Sequence, residues 1–168
     1  MRLFLYTTLI LLAISCNTNE ANRSHLPAIQ EPLEGLWQLQ TMEIIDSLNE
    51  WQEWRNGMQG YLLYDGKGHM ALHLIPKGYE DTDLIFPNFT DTISIAALKY
   101  ITNNYNYFGT YDIDTAQQIV THTRISHSNP KDWHTSVKRH FSFNGDTLVV
   151  KPVEKENARL RLKWLKEN

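Results

Sequence analysis

Beyond its N-terminal region, the chain alternates hydrophobic and polar residues with a period of two, which is the pattern of half-buried β-strands. The clearest example lies near the C terminus, where Leu160, Leu162 and Trp164 alternate with two basic residues. The same alternation occurs in 70–74 and in 140–143. The pattern therefore predicts a domain built mainly of short strands.

Turn motifs separate these alternating segments. Asp-Gly-Lys-Gly at 65–68, Asp-Ile-Asp at 112–114 and Asn-Gly-Asp at 144–146 each lie between two of them. An Asn-Gly pair in this setting is the strongest short signal for a β-hairpin. About eight or nine strands joined in this way predict an all-β antiparallel fold, either a barrel or a sandwich.

Two segments do not follow the strand pattern. Residues 92–103 predict a helix, with Thr90 and Asp91 placed to cap its N terminus. Its apolar residues fall on one helical stripe, namely Ile93, Ala96, Ala97, Tyr100 and Ile101. The segment 46–56, which contains two tryptophans, predicts either a second short helix or turn, or a long loop. We therefore expect one or two short helices beside the strands.

The composition excludes several classes of protein. The chain has 168 residues, of which 42% are hydrophobic and 21% charged, so it is not disordered, collagen-like or a coiled coil. Its 16 basic and 19 acidic residues offer no basic surface for nucleic acid. A single cysteine excludes a disulfide framework and a cysteine-cluster metal site. The longest apolar run is too short for a permanent membrane span.

The N-terminal region divides the chain into three parts. Residues 1–15 contain one basic residue, about a dozen mostly apolar residues and a small residue at the end, as a secretory signal peptide requires. Residues 16–33 are polar and contain two prolines, which predicts a tether. Residues 34–168 are then one domain, which is large enough to bury a core without disulfides.

The end of the signal, Ala13-Ile14-Ser15-Cys16, resembles the lipobox of bacterial lipoproteins. The resemblance implies cleavage before Cys16 and lipidation of its thiol. The protein would then be exported and anchored by lipid to a membrane of the bacterial cell envelope, with the outer membrane or cell surface expected. The alternative is that Cys16 is a buried residue of an ordinary helix.

The start of the domain, Gly35-Leu36-Trp37, resembles the Gly-x-Trp motif of the lipocalins. In that fold the tryptophan closes one end of a barrel, and a basic residue of the last strand packs across it. The resemblance assigns these structural roles to Trp37 and the last strand around Trp164, with Lys166 at the place of the basic residue.

A longer resemblance, over residues 34–166, is to the bacterial and fungal lipocalin-like domain family. The motifs that carry it are Gly60-Tyr61-Leu62-Leu63-Tyr64 with a following methionine, Tyr107-Phe108-Gly109-Thr110-Tyr111, Val120-Thr121-His122, Asn129-Pro130 and Arg139. It implies an up-and-down β-barrel with an interior cavity, without a defined activity. A barrel of about eight strands is either filled by side chains or holds one small ligand.

The candidate ligand-binding residues follow from the alternation. His122 and Arg124 share one strand face and would form a polar spot in an apolar cavity if that face points inward. Arg139 shares a face with Phe141, and is either a ligand anchor or a rim residue paired with a carboxylate. Tyr61, Tyr107 and Tyr111 either line the cavity with their hydroxyls or belong to the packed core.

The histidines do not predict a metal site. His69 and His73 have helical i,i+4 spacing but lie in a strand pattern, and His122 and His127 would point to opposite faces. Neither a glycine-rich phosphate loop nor a Gly-x-Ser-x-Gly motif occurs, and no cofactor is expected. The pattern thus gives no direct sign of an enzyme.

The sequence leaves three functions open. The first is a monomeric, membrane-anchored barrel that binds a small hydrophobic or amphipathic molecule. The second is an isomerase, cyclase or hydrolase that uses His122, Arg139 and Tyr107 in acid–base chemistry. The third is a filled barrel that contacts another envelope protein through 48–56, including Trp51 and Trp54, and through 76–91.

Overall fold

The computed structural model describes residues 32–83, 92–154 and 159–168, and these residues contain nine strands and one α-helix. The strands are β1 (Gly35–Ile45), β2 (Trp51–Glu53), β3 (Met58–Tyr64), β4 (His69–Pro76), β5 (Tyr105–Asp114), β6 (Ile119–His127), β7 (Ser136–Asn144), β8 (Thr147–Pro152) and β9 (Leu160–Lys166). The helix is α1 (Ile95–Asn103), and two 3-10 turns cover Trp54–Asn56 and Pro130–Asp132.

The sheet is an up-and-down barrel. From β3 to β9 each strand pairs antiparallel with the next, and β1 pairs with both β3 and β9, which closes eight strands into a ring. The short strand β2 lies outside the ring and, among the described strands, pairs with β1 alone. The predicted all-β antiparallel barrel is confirmed, and closure removes the open edges that a flat sheet would expose.

One end of the barrel is packed around Trp37. The indole Nε1 donates a hydrogen bond of 2.8 Å to the backbone oxygen of Leu33, and the ring centroid lies 6.1 Å from that of Phe143. The ammonium of Lys166 lies 5.6 Å from the same ring, where the resemblance placed a basic residue. Leu33 is itself fully buried, so the core begins one residue before the predicted domain boundary at 34.

The helix is shorter than predicted. It begins at Ile95, with the side chain of Ser94 accepting a hydrogen bond from the backbone N–H of Ala97. The predicted caps Thr90 and Asp91 lie outside the described residues. Of the predicted stripe, Ala97 is buried, whereas Ala96 and Ile101 face solvent because α1 lies over the barrel end with one narrow face. Among the described residues, no helix has the length and apolar character needed to cross a membrane.

The segment 46–56 forms a turn, a short strand and a short 3-10 helix rather than a long loop. It pairs with β1 as the short strand β2 and continues into a 3-10 turn. The guanidinium of Arg161 lies 3.7 Å from the ring centroid of Trp51, and Trp54 packs against the core. The exposed patch of two tryptophans that an interaction module would need is therefore not formed. Part of the other predicted contact segment, 84–91, lies outside the described residues.

A β-bulge changes the phase of β6. The register with β5 shifts between Phe108 and Gly109, so Ile125 is the extra residue. A Cβ on Gly109 would lie 2.1 Å from the backbone oxygen of Thr123, so the close strand approach at this point requires glycine. As a result, both His122 and His127 are buried, and the prediction that they point to opposite faces is wrong.

Candidate functional site

A cavity of about 280 Å³ occupies the half of the barrel that lies beneath the last turn of α1. Its wall is mainly apolar, with a few polar side chains. The lining residues are Met42, Trp54, Met58, Leu62, Leu72, Leu74, Thr102, Asn103, Asn104, Tyr105, Tyr107, His122, Arg139, Val150, Pro152, Leu160, Leu162 and Trp164. An apolar wall with few polar groups is the usual character of a small-molecule site.

A chain of three aromatic side chains crosses the barrel interior. The Nε2 atom of His122 lies 2.7 Å from the hydroxyl of Tyr64, and its Nδ1 atom lies 2.7 Å from the hydroxyl of Tyr107. His122 is only 3% exposed. Because both ring nitrogens are hydrogen-bonded, the imidazole is held in one orientation, and Tyr107 brings the end of the chain to the cavity wall.

These three groups are neutral around pH 7. Burial, and after it the positive charges of Arg139 and Arg124, lower the pKa of His122 to about 3. Burial raises the pKa of Tyr64 well above its usual value, and burial likewise raises the pKa of Tyr107. The chain therefore offers hydrogen bonds to the cavity and no net charge.

Arg139 lines the cavity and is paired with a carboxylate. Its Nη1 atom donates to Glu154 Oε2 at 2.8 Å and to the backbone oxygen of Lys138 at 2.9 Å. Both of the roles considered for this residue are thus compatible with its position, because the ion pair is structural and the side chain also borders the cavity.

Arg124 is buried outside the cavity wall and holds a loop to the barrel. Its guanidinium donates to Thr135 Oγ1 and to the hydroxyl of Tyr105, both at 3.0 Å, and lies 3.2 Å from Asp132. Because Asp132 belongs to the turn after β6, these bonds fix that turn to β5. The position of Arg124 thus favours a structural role.

Some buried polar atoms of the described residues have no hydrogen-bond partner there, namely Trp164 Nε1, Asn104 Oδ1 and His127 Nε2. Trp164 and Asn104 line the cavity. His127 lies outside the cavity wall, stacked on the ring of Tyr107 at 5.5 Å, and burial lowers its pKa. Unpartnered buried groups are uncommon in folded proteins, so the two on cavity-lining residues are candidates for contact with an occupant.

A family model described as a lipocalin-like domain matches residues 34–166. The chain belongs to the lipocalin-like domain family. The comparison with curated proteins finds no match for it. The family assignment agrees with the closed barrel and with the interior cavity, and it supports a ligand-binding fold.

The lipocalin-like barrel brings together only some of the predicted ligand-binding residues. Tyr107, His122 and Arg139 line the cavity. Tyr61 does not, because it is 43% exposed on the outer face of β3, and its predicted place in the cavity is corrected. The other three predicted residues, Tyr111, Arg124 and Phe141, are buried outside the cavity wall.

The sequence reasoning missed three residues of this site. Tyr64 lies on the opposite strand face from Tyr61, and alternation alone could have placed it inside. Trp164 was given only a structural role, although its inward position made its indole N–H a candidate donor. Asn104, just after α1, carries no sequence signal, because its position depends on how the helix covers the barrel. Within the described ranges, no three His, Cys, Asp or Glu side chains come together as a metal site would need.

Proposed function

We propose that this protein is an exported lipoprotein whose barrel binds a small hydrophobic or amphipathic molecule. The observation that carries the proposal is the cavity of about 280 Å³, with an apolar wall and a buried Tyr64–His122–Tyr107 chain at its side. Apolar lining supplies most of the affinity of such a site, and a few fixed polar groups orient the ligand.

The protonation state of His122 favours binding over catalysis, because its ring is neutral around pH 7. A general base works best when its pKa lies near the working pH. The pKa of His122 is lowered to about 3 by burial and by nearby arginines, so it is a weak proton acceptor. Tyr107, whose pKa is raised by burial, is a weak acid. The chain is thus suited to holding a ligand through hydrogen bonds.

Native mass spectrometry of the protein from cells that produce it tests the binding proposal. We expect a non-covalent adduct that is lost in Val150→Phe, because the larger ring fills the cavity from its wall. Ile125→Phe is the matched control, since Ile125 is 50% exposed on the outer face. Absence of an adduct, together with no thermal stabilisation by butylbenzene, would contradict binding.

The membrane anchor rests on Cys16 and the signal-like residues before it, which lie outside the described residues. Multiple acyl chains on this thiol would hold the barrel at a membrane. Membrane fractionation and metabolic labelling with a radioactive fatty acid test this directly. We expect label and membrane association in the natural protein and neither in Cys16→Ala. An unlabelled natural protein would refute the anchor while leaving ligand binding untouched.

A further inference from the structure

The hydrogen bonds of the Tyr64–His122–Tyr107 chain leave one hydroxyl proton without an assigned acceptor. A neutral imidazole carries one N–H donor and one acceptor nitrogen, and each tyrosine hydroxyl can both donate and accept. One tyrosine therefore donates to His122, and the other accepts from it and keeps its own proton. Which tyrosine keeps the proton depends on the tautomer of His122.

The two tautomers of neutral His122 differ in which tyrosine keeps the unassigned hydroxyl proton. With the proton on Nε2, His122 donates to Tyr64, and the hydroxyl proton of Tyr64 remains. Tyr64 is 1% exposed and absent from the cavity wall, and within the described residues its hydroxyl is hydrogen-bonded to His122, so this proton would be buried without a further acceptor there. With the proton on Nδ1, Tyr64 donates to Nε2, and the remaining proton belongs to Tyr107, which lines the cavity.

Burial of an unpaired donor is costly, so the second arrangement is favoured when the cavity contains an acceptor. The same cavity wall holds a second donor, the indole Nε1 of Trp164, which has no partner in the described part of the chain and belongs to a residue that is 1% exposed. Two donors, carried by β5 and β9, outnumber the one unpartnered acceptor of the wall among the described residues, Asn104 Oδ1, and thus favour an oxygen acceptor on the occupant.

The charges around the cavity favour an uncharged acceptor. The cation in the wall, Arg139, is already paired with Glu154 at 2.8 Å. The other nearby cation, Arg124, is paired with Asp132 at 3.2 Å. A carboxylate ligand would therefore lose its hydration without gaining an unpaired cation, whereas a carbonyl oxygen needs only hydrogen-bond donors.

The volume limits the size of the occupant. An apolar cavity of about 150 Å³ accommodates benzene, which has six carbon atoms. By that scale the cavity of about 280 Å³ suits a molecule of on the order of eleven non-hydrogen atoms.

We propose that the cavity selects a small, uncharged and mostly apolar molecule with a carbonyl-type oxygen, and that His122 holds Tyr107 as a donor to this oxygen. The inference deepens the proposed function and rests on it. In this assignment His122 is a positioning residue, and Tyr107 and Trp164 contact the ligand.

Calorimetric titration with three molecules of matched size tests the selection. The probes are butylbenzene, 4-phenyl-2-butanone and 3-phenylpropanoate. We expect the ketone to bind about tenfold more tightly than either of the others, as a hydrogen bond to an otherwise unpaired donor allows. Tyr107→Phe should remove the advantage over butylbenzene, whereas Tyr111→Phe, on the same strand but outside the cavity wall, should keep it.

The outcomes separate the two proposals. If butylbenzene binds as well as the ketone, or the carboxylate binds best, the carbonyl selection is overturned and the binding function stands. If none of the three probes binds, the carbonyl selection is overturned, and the binding function falls with it if native mass spectrometry also shows no adduct. Because Tyr107→Phe could alter folding, ¹⁵N NMR of the His122 ring in the natural protein with bound ketone provides a second measurement. A proton on Nδ1 supports the assignment, and a proton on Nε2 overturns it.

Discussion

In the half of the barrel around Trp37 the interior is filled by large side chains, whereas the half beneath α1 leaves a cavity. The boundary between the two halves is visible along single strands. On β3, Leu62 borders the cavity and Tyr64 does not, and on β6 His122 borders it and Val120 does not. Both halves are built from the same eight strands, so the side chains in each half determine whether the interior is packed or leaves a cavity.

The two halves also differ in whether their buried indole N–H groups are hydrogen-bonded. In the packed half the indole N–H of Trp37 is satisfied by the backbone oxygen of Leu33. In the cavity half the corresponding group of Trp164 has no partner among the described residues. The comparison teaches that the packed half supplies stability, while the cavity half keeps hydrogen-bonding capacity for an occupant.

The largest expected effect is in the packed half. Trp37→Ala should lower the free energy of unfolding by about 3–5 kcal/mol, because it leaves a void where the ring packs on Phe143. Urea denaturation measures it. Leu165→Ala, at a position that is 42% exposed, should cost less than about 1 kcal/mol. Equal losses in the two variants would contradict the packed core described for this end.

A pH-dependent effect should come from His122. Its pKa is lowered to about 3 in the folded protein but is about 6.5 when unfolded, so the unfolded state binds the proton first as pH falls. The contribution of His122 to the free energy of unfolding is fully present above about pH 6.5. It declines towards pH 3, by about 3 kcal/mol over the first two pH units.

Denaturation at several pH values measures this decline. His122→Gln should remove it, while His140→Gln, at an exposed position, should leave it unchanged. The buried His127 contributes to the slope of all three proteins and cancels in the comparison. An unaltered slope in His122→Gln would show that His122 is not the buried neutral group described here.

A matched pair of valines compares the two halves directly. Val120→Leu should cost about 1–3 kcal/mol, because Val120 is fully buried in the packed half and has no room for another methylene. Val150 lines the cavity, so Val150→Leu should change the free energy of unfolding by less than about 0.5 kcal/mol or increase it. Both substitutions lose the same β-branching, so urea denaturation isolates packing. A larger cost at Val150 would deny that the cavity has free space.

The smallest expected effect is at Lys166. Its ammonium lies 5.6 Å from the ring of Trp37, and an exposed cation–π contact contributes about 0.5–1 kcal/mol. Lys166→Gln should reduce the free energy of unfolding by that amount, and Lys166→Arg should preserve it. If both variants equal the natural protein in thermal denaturation, the contact has no energetic role.

Much of the fold follows from local pattern, since alternation in segments such as 160–164 forces one face inward wherever a sheet closes. The hairpin turns also follow, because Asp65 accepts backbone N–H groups from Lys67 and His69 as its turn motif predicts. The bulge at Ile125 does not follow, because it depends on the pairing of two strands and reverses which residues beyond it point inward.

The site could be predicted only in part. Tyr107, His122 and Arg139 lie on inward faces and were found, but Tyr61 was assigned to the wrong face and Trp164 was not considered as a donor. A cavity is the space that all surrounding side chains leave unfilled, so no single strand encodes it. The cover that α1 provides depends on tertiary packing, which the helical pattern alone does not reveal.

The most direct test of the central claim is a crystal structure of the protein isolated from the cells that produce it, inspected for electron density inside the barrel. The account predicts compact density of on the order of eleven non-hydrogen atoms, bounded by Tyr107 and Trp164. Side chains collapsed into this space, or ordered water molecules alone, would contradict a ligand-binding cavity.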